Sequence, residues 1–172
     1  TQNSLLDGFS KIENLMDKVK ELGMDSVAIT DHGVMFGVVD FYKKAKKKGI
    51  NPIIGCEVYV SFRSRHDREN IDKKSYHLIL LAENNEGYQN LIKIVSAGFV
   101  EGFYYKPRVD YEILKKYSKG IIALSACLAG EIPQRLMEGK SPEAKLAAER
   151  LSELFGRDNF YLELQDHDIH EQ

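Results

Sequence analysis

The sequence predicts an α/β fold with strands and helices alternating around a single core. Two observations carry this. Short apolar runs recur along the chain, and stretches of helical period separate most of them. A third fixes the scale: 172 residues with 43% hydrophobic content suffice for one domain with a sizeable core.

The elements follow in order. Ser10 and Glu13 have capping-box spacing, and Ile12, Leu15, Met16 and Val19 then recur on one helical face. Gly23 is placed to stop that helix. Residues 26–30 form a short apolar strand. A second helix fits 36–48, with Val39, Tyr42 and Ala45 on one side and Gly49 as its stop. Pro52 to Val60 is the next strand, and residues 62–75, FRSRHDRENIDKKS, are expected to be a charged, flexible loop. HLILLA, His77 to Ala82, is nearly continuous in apolar character, as in a strand buried on both faces. A helix over 85–97 carries Tyr88, Leu91, Ile92 and Val95. After GFYYKPRVD come a short helix near 110–117 and the strand Gly120 to Leu124. Ser141 and Pro142 are a cap and first-turn proline for a helix ending near Gly156, and Phe160 to Gln165 is the last strand.

About five strands alternating with helices imply a parallel sheet or a β/α barrel rather than an antiparallel sandwich. A closed barrel takes about 250 residues, so this length suits most of a barrel with one or both ends missing. The chain starts at Thr1 rather than Met and stops at Gln172, which is read as a piece of a longer polypeptide.

Composition gives no global argument for nucleic acid or membrane, because 24 basic and 26 acidic residues leave a net charge of −2. The basic run Lys43, Lys44, Lys46, Lys47 and Lys48 is read as a solvated helix face in preference to a phosphate contact. No apolar stretch approaches the roughly 20 residues of a membrane span, and no signal peptide is recognised. Cys56 and Cys127 are too few for a disulfide framework and suit a reducing cytoplasm.

Chemistry in β/α folds collects at the carboxyl ends of strands. Asp31 and His32 follow the strand SVAIT, and Glu57 lies in GCEVY. Cys127 follows IIALSA, while Asp166 and His167 follow YLELQ. His77 fits less well because it begins its apolar run, and no earlier strand locates Asp7 in SLLDG. Histidine, carboxylate and thiolate are ligands for zinc, and mixed nitrogen and oxygen sets also suit manganese or iron. Singly, each residue has an ordinary reading as a turn acid, strand-edge carboxylate or core cysteine. Only the joint arrangement points to a metal site.

SLLDG, AITDHG, PIIGCEVYV, YHLILLAENNEGYQNL, GFYYKPRVD, ALSACLAGEI and FYLELQDH, in this order, resemble the polymerase-and-histidinol-phosphatase (PHP) domain of bacterial DNA polymerase III alpha subunits. AITDHG alone fits many PHP proteins, whereas NNEGYQNL and GFYYKPRVD are similar to the replicative branch. The resemblance implies a distorted seven-stranded, TIM-like β/α barrel, present here as an incomplete barrel, holding a cluster of up to three divalent ions, with zinc or manganese expected. It assigns ligand roles to Asp7, His32, Glu57, His77 and Cys127. It makes Asp31 a supporting group, able to orient an imidazole or cap a turn, and leaves Asp166 and His167 as candidates for substrate contact. A His-x-His pair before Thr1 and an Asp-x-His pair after Gln172 are expected outside the chain.

The implied function is metal-assisted phosphodiester hydrolysis, a 3′-to-5′ exonuclease within a cytoplasmic DNA-directed DNA polymerase. DNA, the other polymerase domains and replisome subunits are the implied partners, with no membrane. Residues 1–172 alone are expected to be weak or inactive. A structural brace for the polymerase and a free-standing phosphatase are the competing readings.

Overall fold

In the computed structural model, which describes residues 1–5 and 7–168, helices and strands are interspersed along the chain. The first half runs α1 (Ile12–Glu21), β1 (Ser26–Ile29), α2 (Val38–Lys47), β2 (Asn51–Ser61), β3 (Ser75–Ala82) and α3 (Asn85–Val100). The second runs β4 (Phe103–Tyr104), β5 (Lys106–Val109), α4 (Tyr111–Lys116), β6 (Ile121–Leu124), α5 (Glu131–Met137), α6 (Ser141–Phe155) and β7 (Phe160–Tyr161). Among the described residues, no helix is long and apolar enough to cross a membrane.

The strands form one sheet in the order β4-β5-β2-β3-β6-β7, and β1 also pairs with β2. The path does not close, so the described residues make an open sheet, not a complete barrel. The sheet is also mixed rather than parallel. β2 runs parallel to β1 and β5, whereas β3 is antiparallel to both β2 and β6. The reason lies between β2 and β3, where residues 62–74 contain only the 3₁₀ turn Asn70–Lys73. Without a crossover helix the chain reverses directly and pairs antiparallel. In GFYYKPRVD, β4 and β5 are antiparallel and Tyr105 alone makes the turn, with φ 61°. Strands this short escape periodicity.

Several local expectations change. Lys11, not Ser10, precedes α1, and the Gln2 side-chain oxygen accepts from the Ile12 N–H at 2.9 Å. On α2 the buried side chains are Val38, Phe41 and Ala45, while Val39 and Tyr42 face outward. Ser141 is already helical and Lys140 precedes it, with Pro142 in the first turn as expected. The last strand ends at Tyr161 rather than Gln165. Gly23 and Gly49 do stop their helices, at φ 69° and 70°.

Two apolar clusters form. One packs β2, β3 and β6 against α3, α4 and α6 through Leu80, Leu91, Ile94, Leu114 and Leu151. The other joins α1, α2 and β1 through Met16, Ile29 and Phe41. The charged loop is tied down. The Arg65 guanidinium meets Asp110 at 2.9 Å and Glu101 at 2.7 Å, and Arg63 pairs with buried Asp72. Arg108, fully buried, donates to the carbonyls of Gly102, Asp72, Arg65 and Asp67. Backbone oxygens of the loop thus find their donor inside the fold.

Candidate metal centre

Alternation along β2 sends Cys56 and Val58 into the core and turns Glu57 and Tyr59 to the other face. Tyr59 pairs with His77 in the β2–β3 register, which brings the His77 ring to the same face. The antiparallel sense explains His77. The amino-terminal half of β3 lies beside the carboxyl-terminal half of β2, so a residue early in its strand reaches the site.

His32 follows β1 and bridges to Glu57. The Glu57 N–H donates to the Asp31 carbonyl at 3.1 Å and the Gly33 N–H to the Glu57 carbonyl at 2.8 Å. Gly33 has φ 67°, and a Cβ there would lie 2.9 Å from the Tyr59 ring and 3.0 Å from Pro107. Only glycine fits this exit without strain. Cys127 sits in the loop after β6, which is pinned when the His77 N–H donates to the Ala129 carbonyl at 3.0 Å.

The candidate ligands gather around one carboxylate oxygen. Glu57 Oε1 lies 2.9 Å from His32 Nδ1 and 2.5 Å from His77 Nδ1. Candidate ligand atoms of these three side chains all fall within 4.8 Å of one another. Asp7 Oδ2 is 3.4 Å from His32 Nε2, and Cys127 Sγ is 3.6 Å from His77 Nδ1. Every residue assigned as a ligand from sequence therefore touches the cluster. His32 Nδ1 and Glu57 Oε1 are nevertheless buried without a hydrogen bond. A histidine nitrogen and a carboxylate oxygen buried side by side, with His77 next to them, are a donor set that suits a divalent cation.

The contacts within the cluster also set its protonation. Burial opposes a charge on His77, but the Cys127 and Glu57 contacts outweigh it and push its pKa up to about 9. His77 in turn holds the Cys127 thiol below its usual range, and the two imidazoles keep Glu57 low against the opposing effect of burial. Cys56 behaves oppositely. Burial first, then the negative charges of Asp31 and Glu57, raise its thiol, so it remains a neutral core residue.

Asp31 is almost wholly buried and supports the site by another route than an imidazole contact. It accepts from Thr1 Oγ1 at 2.8 Å and Ser4 Oγ at 3.0 Å. Ser4 Oγ accepts from the His32 N–H at 3.1 Å. Asp31 and Ser4 thereby fasten the segment bearing Asp7 beside His32. Asp166 and His167 are exposed in the segment after β7, and Asp166 Oδ1 accepts from the Asp168 N–H at 3.4 Å. Sequence reasoning missed Ser4 and Tyr59; Tyr59's signal was its place two residues after Glu57 in a strand.

A family model for the PHP domain matches residues 1–167. The chain belongs to the PHP domain family. This PHP chain is 47% identical to the DNA polymerase III subunit alpha of Treponema pallidum, over 98% of the chain and 15% of that protein. The same subunit of Thermus aquaticus is also 47% identical, covering 100% of the chain and 14% of the relative. The chain thus spans about 15% of the length of the curated relatives it matches. Partial overlaps with solved structures include an amidohydrolase from Chromobacterium violaceum with bound sulfate, at TM-score 0.40 and 20% identity over 55% of this chain and 30% of that one. A proposed metal-dependent phosphoesterase from Bifidobacterium adolescentis overlaps at TM-score 0.38 and 18% identity, over 54% and 29%.

Proposed function

We propose that this PHP domain belongs to a bacterial replicative DNA polymerase and hydrolyses phosphodiesters there as a metal-dependent 3′-to-5′ exonuclease. The observation that carries the reading is the convergence of buried, unbonded His32 Nδ1 and Glu57 Oε1 with His77, flanked by Asp7 and Cys127. These five side chains would hold the ions, with zinc or manganese suited to the mixed nitrogen, oxygen and sulfur set and up to three ions in the complete site. Bound divalent ions supply charge neutralisation at phosphate oxygens and acidify attacking water.

The protein's own groups position and enclose. Glu57 and His77 come from paired strands, so their spacing is set by the sheet. Ser4 and Asp31 fix the Asp7 segment, and Tyr59 walls the centre beside His77 at a ring separation of 5.3 Å. None of these side chains is needed as a nucleophile. The open sheet would be closed to a β/α barrel by flanking strands carrying the His-x-His and Asp-x-His pairs. Asp166 and His167 would lie toward the substrate side.

The test is metal analysis together with a nuclease assay on the full-length protein, wild type and His32→Ala. Metal and hydrolysis lost together in the variant support the reading. Unchanged metal content in His32→Ala would sink the ligand assignment. Metal lost from the variant, with no nuclease activity even in the wild type, would favour a purely structural domain.

A further inference from the structure

The face of the sheet that bears the ligands continues into a row of tyrosines and cations. Tyr59 pairs with Arg108 of β5, and the two-residue period places Lys106 on the same face. Lys106 Nζ lies 4.3 Å from the centre of the Tyr59 ring, whose edge contact with His77 leads into the metal centre. At the hairpin turn, Tyr104 and Tyr105 meet at 4.9 Å. Arg68 stands 5.9 Å from the Tyr104 ring centre and Lys73 5.1 Å from that of Tyr105.

Among the described residues, Lys106, Arg68 and Lys73 form no ion pair; Arg68 donates only to the carbonyls of Arg65, Asp67 and Glu101. Lys44 of α2 differs, since it is paired with Glu13 and Asp40. Tyr105 is equally telling. It occupies a left-handed position at φ 61° that glycine would fill without strain, yet the residue is 66% exposed. Holding a bulky residue there gains little burial. The ligand cluster itself is acidic, so a polyanion approaching it needs local cations.

We infer that the β4–β5 hairpin and the adjoining 62–74 loop bind single-stranded polynucleotide, with bases on Tyr104 and Tyr105 and phosphates on Lys106, Arg68 and Lys73. Aromatic faces beside unpaired cations suit unpaired bases of any sequence. Lys106 is the last cation before His77, so it receives the phosphate nearest the metal centre. The direction of the strand rests on the hydrolytic reading above; the binding does not.

The test uses full-length protein kept metal-free with chelator and an oligodeoxythymidylate carrying 4-thiothymidine near its 3′ end. After irradiation, crosslinks should map to Phe103–Lys106. Their yield should fall about tenfold in Tyr105→Ala/Lys106→Gln, the loss of one stacked base and one phosphate contact. Lys46→Ala should leave the yield unchanged, because Lys46 lies beside Ser26 and Asn51 at the opposite strand ends. Crosslinks absent from Phe103–Lys106, an unaffected double variant, or equal displacement by a polyglutamate peptide would overturn the inference. Crosslinking here by a wild type that hydrolyses nothing after metal is restored would remove the hydrolytic reading and leave the binding track standing.

Discussion

Cys127 and Cys56 show how position, not residue type, decides chemistry. Cys56 points into the core and burial keeps it a thiol, whereas Cys127 contacts the His77 imidazole, which favours the thiolate. Substitution of cobalt into the full-length protein should therefore give a near-ultraviolet thiolate charge-transfer band. Cys127→Ser should abolish that band and Cys56→Ser should retain it; a band surviving Cys127→Ser would remove Cys127 from the ligand set. At Gly33, alanine meets both a left-handed backbone and the Tyr59 ring at 2.9 Å. Gly33→Ala should lose about 1–3 kcal/mol in chemical denaturation. A loss below the error of such a titration would mean that Tyr59 yields freely.

At the scale of elements, the 62–74 loop is where sequence reading and structure part. Its composition resembles that of a mobile connector, but composition cannot show that Arg65 finds Asp110 or that Arg108 is fully buried. Those partners lie far along the chain, and only the β2–β5 pairing brings them together. The same non-local pairing hid β4 and β5. By contrast, the candidate positions that converge stood out because short apolar strands end in acid, imidazole or thiol, and the resemblance supplied roles for Asp7 and His77. The loop's charge pairing has a pH signature. Arg63, through its hydrogen bond, holds the Asp72 carboxyl below its ordinary value of 3.8. A depressed folded-state pKa means that the stabilisation is fully present above the unfolded value and disappears as pH falls through the folded one. The stability difference between wild type and Asp72→Asn should be flat above about pH 5 and shrink below about pH 4. A difference that grows on acidification would exclude this pairing as its source.

Across the whole molecule, the cluster draws on segments that otherwise belong to separate cores. Asp7 and His32 come from the part packed around α1, α2 and β1, while His77 and Cys127 come from the part around β3 and β6. β2 pairs with β1 on one side and β3 on the other, and Glu57 stands at the junction. A cation held by both groups would oppose their separation, and a ligand that binds only the folded state stabilises it by mass action. At free metal of about a hundred times the dissociation constant the gain is about 2.7 kcal/mol. For a domain of this size that corresponds to a rise in unfolding temperature of about 5–10 °C. Thermal unfolding of the full-length protein should show such a rise in the transition of this domain when metal is restored after chelation. His32→Ala should show little of it, since the lost imidazole removes the ligand that joins the amino-terminal segment to Glu57. An equal rise in the variant would mean that the stabilising ion binds elsewhere.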